Sequence, residues 1–502
     1  MNPPAVPETG NLPASLRDPS TLFFQYDSVR RSIIAAYWVA ILLATPLWWY
    51  TTSIERLPLP ISQASQEISR PLQLPVNVCL QESKPIFAPL LQVSLDRFTS
   101  SRILEGVQIH ITGSAKCETT SSGNSYIVKP GQTKLISGRA LEFPMRDARS
   151  VEDLTSTLVN LIVPHLAHND KSNRAVQFAS RYRLAFSLLN EDASSGSGVM
   201  GWNVEHALTR YITPILDRVS HLHNFTIESQ VQFHAPLAFD VQRLGNGEHS
   251  LSYEDLTVFV NSAEWTLSSS FSNEPVIHLV AFVPSSDHSP LRILEADGTI
   301  SNSNAFILPQ WGGIVLYNPS EGETSKQLSS RGFQDVFGSF ANQLLSLLGV
   351  PNLPAEIQRD PRDRNTISDW QLDALLRRRT LEAVAGTKET LGSFIKLVDQ
   401  IDNMPIGPSV RDDVQVALSS LNKVYDLAST SLFQTFTSSA SAFDSSSRAF
   451  FNPGMLALLY FPAEHKYAVY TPLFATSMIP LAIAALREFK IWKQQRKQTN
   501  NG

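Results

Sequence analysis

Two long uncharged runs, one near each end of the chain, dominate its hydrophobic pattern. The first covers 18 residues from Ile33 to Tyr50, and the second covers 20 residues from Tyr467 to Leu486. A membrane-spanning helix needs about 20 predominantly apolar residues. The pattern therefore predicts transmembrane helices at 32–50 and 467–486.

Each run has a second interpretation, which the flanking residues argue against. The first could be a cleaved signal peptide, but about thirty residues precede it and it ends in Pro46 and aromatic residues instead of a small-x-small cleavage site. The second could be a GPI-attachment signal, which normally ends in its apolar run, whereas here a basic tail follows. Both runs are therefore predicted to remain as membrane anchors.

Charges beside the two runs predict the orientation of the chain. Arg30 and Arg31 precede the first run, and five cations with one acid follow the second. Because positive charge collects on the cytoplasmic side, the tails 1–31 and 487–502 are predicted to be cytoplasmic and the residues between the spans lumenal. Asn224, in the sequence Asn-Phe-Thr, is then a predicted N-glycosylation site, since the acceptor must meet the lumen.

Between the spans, strand-like and helix-like patterns alternate. Residues 51–75, rich in proline and polar residues, are predicted to form an extended lumenal stalk, and 76–354 a mixed α/β domain. Strands are predicted at VNVCL, GVQIHIT, RYRLAFSLL, FTIESQVQF, VIHLVAFVP and FILPQWGGIVLY. The predicted fold class is α/β, a large mixed α/β lumenal domain followed by a helical region and flanked by one transmembrane helix at each end.

The lumenal helical region is predicted at 355–466. Ser368 and Gln371 have the spacing of a capping box at the start of a helix, and a second helical pattern runs from about Val410 to Phe436. The Ser-rich run 437–447 is predicted to be a short connection.

Composition narrows the class of protein. Charged residues make up 17% of the chain and apolar residues 43%, which indicates a globular protein with membrane segments. The net charge is −5 and the excess of acidic residues lies between the spans, so we expect no nucleic-acid partner. The two cysteines, Cys79 and Cys117, either pair in an oxidising lumen or remain separate buried thiols.

Several motifs resemble catalytic, cofactor or metal sites in part, but none has the full pattern of one. GSGVMG at 196–201 has the spacing of a dinucleotide-binding loop, but six residues separate it from the preceding strand, which favours a flexible loop. The histidine pairs 165/168 and 221/223 lack a second ligand pair, and no serine-hydrolase motif is present. The arginines 377–379 would fan over different helix faces, which favours a solvated or salt-bridged surface over a phosphate site.

The sequence Gln-Trp-Gly-Gly at 310–313 has two interpretations. Glycines permit unusual backbone angles or a close approach of two chains, so Trp311, Gly312 and Gly313 could belong to a tight turn between two strands with the tryptophan in the core. Alternatively, an exposed Trp311 beside the glycines could bind a partner, since tryptophan is enriched in binding hot spots.

Six stretches, in this order, resemble the PIG-S family, a subunit of GPI transamidase. They are RRSIIAAYWVAILLATPLWWYTTSIERLPLP, FSLLNED, NFTIESQVQF, ILPQWGGIVLYN, SDWQLDALLRRRTLE and LYFPAEHKYAVYTPLF. The resemblance implies a non-catalytic accessory subunit in the endoplasmic reticulum membrane, within the complex that cleaves C-terminal attachment signals and joins proteins to a GPI anchor. It implies that the cleaving thiol belongs to the caspase-like subunit PIG-K. It also implies PIG-T, PIG-U, a multi-spanning GPI-binding subunit and membrane lipids as neighbours, and no cofactor.

Two functions of other classes remain open from the residues themselves. One is an independent membrane-tethered lumenal binding module or chaperone. The other is a lumenal hydrolase or transferase with unrecognised active residues. Co-purification with the other transamidase subunits would distinguish the accessory subunit from both.

Overall fold

A computed structural model describes most of the chain, and helices and strands alternate along it. The described residues are 26–52, 56–82, 86–100, 106–118, 123–163, 175–195, 198–245, 247–261, 264–267, 274–319, 327–401, 404, 406–454 and 463–499. In chain order the helices are α1 (Asp27–Thr52), α2 (Ile61–Ser69), α3 (Phe87–Ser100), α4 (Ala148–Ile162), α5 (Val204–Ala207), α6 (Thr213–Val219), α7 (Tyr253–Thr257), α8 (Ser330–Leu348), α9 (Asp369–Gln400), α10 (Pro408–Leu427), α11 (Leu432–Phe450) and α12 (Ala463–Thr499).

The strands form two larger sheets and one small sheet. They are β1 (Leu74–Gln81), β2 (Val107–Ser114), β3 (Ser125–Pro130), β4 (Leu135–Ser137), β5 (Ala140–Phe143), β6 (Arg181–Asn190), β7 (Asn224–Gln232), β8 (Gln242–Arg243), β9 (His249–Leu251), β10 (Val276–Val283), β11 (Leu291–Ile293), β12 (Ala305–Leu308), β13 (Gly312–Leu316) and β14 (Gln358–Arg359). The six predicted strand regions are all present, and the mixed α/β class is confirmed.

The first sheet has the order β14-β4-β5-β3-β1-β2. Its strand β1 is parallel to both β2 and β3. Alternate residues of β1, including Val76, Val78 and Leu80, are completely buried, because successive side chains of a strand point to opposite faces. Residues of α3 and α4 complete this core, together with Trp370 from α9.

The second sheet has the order β12-β13-β10-β6-β7. Its strands β13, β10, β6 and β7 run parallel, and β12 is antiparallel to β13. Strands β6 and β10 are buried almost throughout, because both faces of a parallel sheet are covered. One face packs on α6 and α8, and the other packs on Phe259, Trp265 and the small sheet β11-β9-β8.

Helix α9 joins the cores of the two larger sheets. Its predicted capping box is confirmed: the Ser368 backbone N–H donates to Gln371 Oε1 (3.1 Å), and the Gln371 N–H donates to Ser368 Oγ (3.3 Å). Trp370 lies in the core of the first sheet, and Leu375 and Leu376 lie in that of the second. Strand β14 also pairs with β4, so residues on both sides of the predicted boundary at 354 share one sheet.

Three segments differ from the structure expected of them. Residues 61–69, predicted to belong to an extended stalk, form α2, which buries Ala64 and Glu67 on one face. The Ser-rich run 437–447, predicted to be a connection, lies within α11. Serine is compatible with this helix because hydroxyls bond to carbonyl oxygens of the preceding turn, as in Ser439 to Phe436 and Ser446 to Phe443. The second helical pattern is likewise divided, since α10 ends at Leu427 and α11 begins at Leu432.

Contacts divide the chain into two units. One contains Met1–Pro60, Ser393–Val414 and Arg448–Gly502, and the other contains Ile61–Gly392 and Gln415–Ser447. The second unit holds both larger sheets. Within the first unit, the segments Ser28–Trp48 of α1 and Ala468–Gln494 of α12 are long and apolar enough to cross a membrane.

Candidate functional site

Trp311 lies in the tight turn between β12 and β13. Gln310, just before it, has a φ of 62°, a left-handed conformation that is uncommon for a residue with a side chain and occurs in tight turns. The Trp311 ring stacks on the His278 ring of β10, with centroids 4.7 Å apart and planes 23° from parallel. Trp311 is half-buried, so part of the indole remains available to a partner.

Gly312 and Gly313 are buried where β13 lies against its neighbours. A Cβ atom at Gly312 would be 2.0 Å from the carbonyl oxygen of His278, and one at Gly313 would be 2.3 Å from Gln343 Oε1. These positions therefore need glycine for close approach inside the protein. Of the three residues considered for partner contact, Trp311 keeps exposed surface, and its contact with a partner stays a prediction.

A concave surface of about 500 Å³ adjoins the same hairpin. Edge strand β12 lines it through Phe306 and Ile307, Pro309 continues it, and α8 contributes Asn342. Tyr253, 68% exposed, stands at its rim. An edge strand with aromatic and apolar neighbours is a suitable surface for another protein chain.

Asn224 is the first residue of β7, the strand at one edge of the second sheet. Asn224 and Thr226, the two polar residues of the sequon, are exposed. The position is thus accessible to a glycosylating enzyme, and its occupancy stays a prediction.

Cys79 and Cys117 are joined by a disulfide bond, with their Cα atoms 5.8 Å apart. Cys79 belongs to β1, and Cys117 follows the neighbouring parallel strand β2. Of the two alternatives that the sequence left open, the structure contains the paired form. The bond covalently links β1 to the segment that follows β2.

Among the described residues, the histidine candidates do not assemble into a metal site. His221 is exposed, whereas His223 is buried and its Nδ1 lies 2.7 Å from Ala179 O. In the described part of the chain, no group of three or more His, Cys, Asp or Glu residues could hold a metal ion. His165, His168 and the first two residues of GSGVMG lie outside the described residues.

The prediction that arginines 377–379 lie on a surface was wrong for two of them. Arg377 is 1% exposed and Arg379 is 6% exposed. Arg379 donates to the carbonyl oxygens of Val176 and Leu348, while Arg378 and Arg379 both pair with Glu382. The guanidinium groups of Arg377 and Arg379 therefore lie inside the protein, because α9 packs between the cores of the two sheets.

Acidification is expected to destabilise the chain through His223. Burial lowers the pKa of His223 to about 4, whereas an unfolded histidine has a pKa of about 6.5. The neutral ring is the form that fits the fold, so its stabilising contribution is complete above about pH 6.5 and is lost towards pH 4, by about 1 kcal/mol per pH unit. Thermal melting between pH 7 and 5 measures this, and His223→Gln should show a weaker pH dependence. An unchanged dependence would contradict the assignment.

Glu191 and His288 form a polar pair beyond the carboxyl ends of β6 and β10 that the sequence patterns did not predict. The buried Glu191 accepts a hydrogen bond from the Ser285 N–H at 2.9 Å, and His288 Nδ1 lies 2.6 Å from its other oxygen. The available signal was an acid directly after a buried apolar strand, where sites of α/β proteins often form. Here the contacts fix the loops that follow the two strands.

The two apolar helices α1 and α12 contact each other at both ends of α1, within their own unit. Arg30 and Arg31 pair with Glu488 at 2.5 and 3.1 Å. At the opposite end, the Trp48 ring meets the rings of Tyr470 and Phe474, with centroids 5.7 and 5.0 Å away. The start of α1 therefore lies beside the later part of α12, and the helices are antiparallel.

Comparison with known proteins extends these observations to the whole chain. The family model described as "PIG-S: Phosphatidylinositol-glycan biosynthesis class S protein" matches residues 35–125 and 119–495. The chain belongs to the PIG-S family.

Relatives in this family align over nearly their full length. The chain is 29% identical to a Bos taurus protein named GPI-anchor transamidase component PIGS, over 91% of this chain and 95% of the relative. It is 28% identical to the Homo sapiens protein of the same name, over 91% and 95%. It is also 28% identical to the GPI transamidase component PIG-S homolog of Schizosaccharomyces pombe, over 94% and 86%.

Proposed function

We propose that this chain is a non-catalytic accessory subunit of GPI transamidase in the endoplasmic reticulum membrane. The observation that carries the proposal is the alignment with named transamidase components across both membrane helices and the two sheets. The complex would cleave C-terminal attachment signals and join the new carboxyl end to GPI. The part of the chain between the two membrane helices would bind the neighbouring subunits. Tethering to one bilayer raises the effective concentration of the subunits, so modest interfaces are enough for binding.

The chemistry of the cysteines supports an accessory role. Cleavage by a caspase-like subunit needs a free thiolate, and both cysteines of this chain are bonded to each other. We therefore assign the cleaving thiol to PIG-K and expect PIG-T, PIG-U and the multi-spanning GPI-binding subunit as further neighbours. Trp311 and the concave surface beside its hairpin are our proposed partner-binding surface.

The test of this proposal is removal of the chain from cells. We expect uncleaved precursors to accumulate in the endoplasmic reticulum and GPI-anchored proteins to fall at the cell surface, with full rescue by the wild-type chain. Purification from gentle detergent should recover the other subunits with it. Normal anchoring without the chain would refute the proposal, and purification of the chain alone would favour an independent binding module.

For the membrane topology, we propose that both tails are cytoplasmic and the two sheets lumenal. The antiparallel contact of α1 and α12 supports tails on one side, and the flanking cations support the cytoplasmic side. We expect endoglycosidase to shift the band of the wild-type chain and Asn224→Gln to abolish that shift, as measured by gel mobility. Asn318→Gln is the control, because the proline after Asn318 prevents glycosylation. Protease digestion of 51–466 in sealed microsomes would overturn the topology.

A further inference from the structure

A pocket of about 280 Å³ lies where the first-sheet turn β4–β5, α6, α9 and the start of α11 meet. Arg139 lines it from the turn, Arg218 from α6 and Asp373 from α9. Ser431 and Phe433 line it at the start of α11, and His221 is exposed at its rim. Apart from His221, none of these residues belongs to a motif in the sequence.

Two carboxylates of α9 orient the arginines. Asp369 and Asp373 are four residues apart, so they lie one turn apart on the same helix face. Arg139 donates to both oxygens of Asp373, from Nε at 2.7 Å and from Nη2 at 3.0 Å. Arg218 donates from Nη2 to Asp369 at 2.6 Å and from Nε to Ile367 O at 3.2 Å. Both guanidinium groups are therefore held at the pocket.

Each arginine keeps donors that these contacts do not use. A guanidinium carries five N–H donors in a planar fork. Within the described part of the chain, no acceptor hydrogen-bonds to Nη1 of either Arg139 or Arg218. A ligand with several oxygen acceptors would satisfy donors that the protein itself leaves available.

The charges of the cluster do not balance. Arg377, which is 1% exposed, donates to the Tyr126 hydroxyl at 2.8 Å, and that hydroxyl donates to Asp373 at 2.8 Å. Burial raises the pKa of Tyr126, so the tyrosine contributes no negative charge. Among the described residues joined by these hydrogen bonds, three arginines face two carboxylates. A bound anion would compensate the remaining positive charge.

The start of α11 adds donors of another kind. Ser431 and Leu432 line the pocket, and α11 is 19 residues long. The first N–H groups of a helix have no acceptor within the helix, and the helix dipole favours an anion there. Of these groups, the Gln434 N–H already donates to Ser431 Oγ at 3.4 Å. The helix start therefore adds to the attraction of an anion by the two arginines.

We propose that this pocket binds a phosphate group. A tetrahedral phosphate offers acceptors in several directions, which fits donors arriving from a turn, a helix face and a helix start, whereas a carboxylate offers two oxygens in one plane. The rings of His221 and Phe433, with centroids 4.9 Å apart, stand at the pocket, where an ester substituent would leave it. The phosphate could be free or belong to a phosphorylated lipid head group. The proposal does not depend on a role in GPI transamidase.

The test uses the purified full chain in neutral detergent, without phosphate in the buffer and at constant ionic strength. The probes are inorganic phosphate, phosphoethanolamine and acetate, with thermal stability and phosphorus NMR line width as readouts. We expect phosphate to raise the melting temperature and acetate to have little effect. Tighter binding of phosphoethanolamine would assign an esterified phosphate, and equal or weaker binding would assign free phosphate.

Variants at the pocket distinguish site binding from a general charge effect. Arg218→Gln is expected to weaken phosphate binding about tenfold or more, since one charged hydrogen-bonding partner is lost. His221→Glu, at an exposed position, should weaken it too, because its carboxylate would compete for the arginines. Arg292→Gln and the exposed-site His234→Glu make the same charge changes elsewhere and should bind as the wild type does.

Three results would overturn the proposal. These are no phosphate-dependent stabilisation of the wild-type chain, an equal response to acetate, or an unchanged response in both pocket variants. If Arg218→Gln does not fold, His221→Glu decides the question, because an exposed rim residue is compatible with a folded chain.

Discussion

Asp373→Ala is expected to lower the free energy of unfolding by about 3–5 kcal/mol, because it removes a buried carboxylate that two neighbours require. The Asp373 side chain is 2% exposed and binds Arg139 through both oxygens. It also accepts the hydrogen bond from Tyr126, whose hydroxyl in turn accepts from the buried Arg377. Its loss leaves positive charge without compensation and a buried tyrosine hydroxyl without an acceptor.

Asp369→Ala is the matched control, one turn earlier on α9. Its side chain is 27% exposed and its partner Arg218 is 26% exposed, so this ion pair is hydrated and should contribute about 1 kcal/mol or less. Chemical denaturation of the purified full chain measures both variants under one condition. An equal decrease in the free energy of unfolding for the two variants would show that burial of Asp373 does not determine how much it stabilises the chain.

The strands that could be predicted are those whose own pattern of apolar and polar residues reflects their burial. Strands β6 and β10 are rich in apolar residues because both faces are covered, and β1 alternates because its side chains alternate in burial. Strands β3, β4 and β5 were not predicted, since they are only three to six residues long and too short to show a clear alternation. Their pairing depends on partners that the local pattern does not contain.

The hydrogen-bond network around Asp373 of α9 could not be predicted from local pattern either, because its members are far apart in sequence. Tyr126 and Asp373 are 247 residues apart in sequence, and Arg139 and Asp373 are 234 apart. A run of three arginines is usually solvated, and the expectation failed because α9 lies between two cores instead of on one. Only the fold shows that Arg377 is enclosed and that Arg139 and Arg218 converge.

The turn at 310–313 divides into a part that sequence could predict and a part that it could not. A glycine pair between two apolar runs predicts a turn or a close approach, and the hairpin β12–β13 has both. The identity of the close neighbours, His278 and Gln343, depends on the order of β13 beside β10 and on the position of α8. The half-burial of Trp311 follows from that order, since its ring packs on His278.

Gly312→Ala is expected to lower the free energy of unfolding by about 3 kcal/mol or more. The new Cβ would lie 2.0 Å from His278 O and 2.8 and 2.9 Å from the carbonyl carbon and the nitrogen of that residue. These are backbone atoms of a central strand, and the His278 N–H also donates to Trp311 O at 3.1 Å, so the clash cannot be relieved by rotating a side chain.

Gly338→Ala provides the control for the change from glycine to alanine itself. Gly338 lies within α8, and a Cβ there meets no heavy atom within 4 Å. Alanine favours a helix over glycine, so this variant should be neutral or more stable by up to about 1 kcal/mol. Denaturation midpoints of both variants and the wild type decide the matter. A Gly312→Ala chain with wild-type stability would show that the fold does not require the close approach of β13 to β10. Because Trp311 directly precedes β13, the fold would then not require its stacked position either.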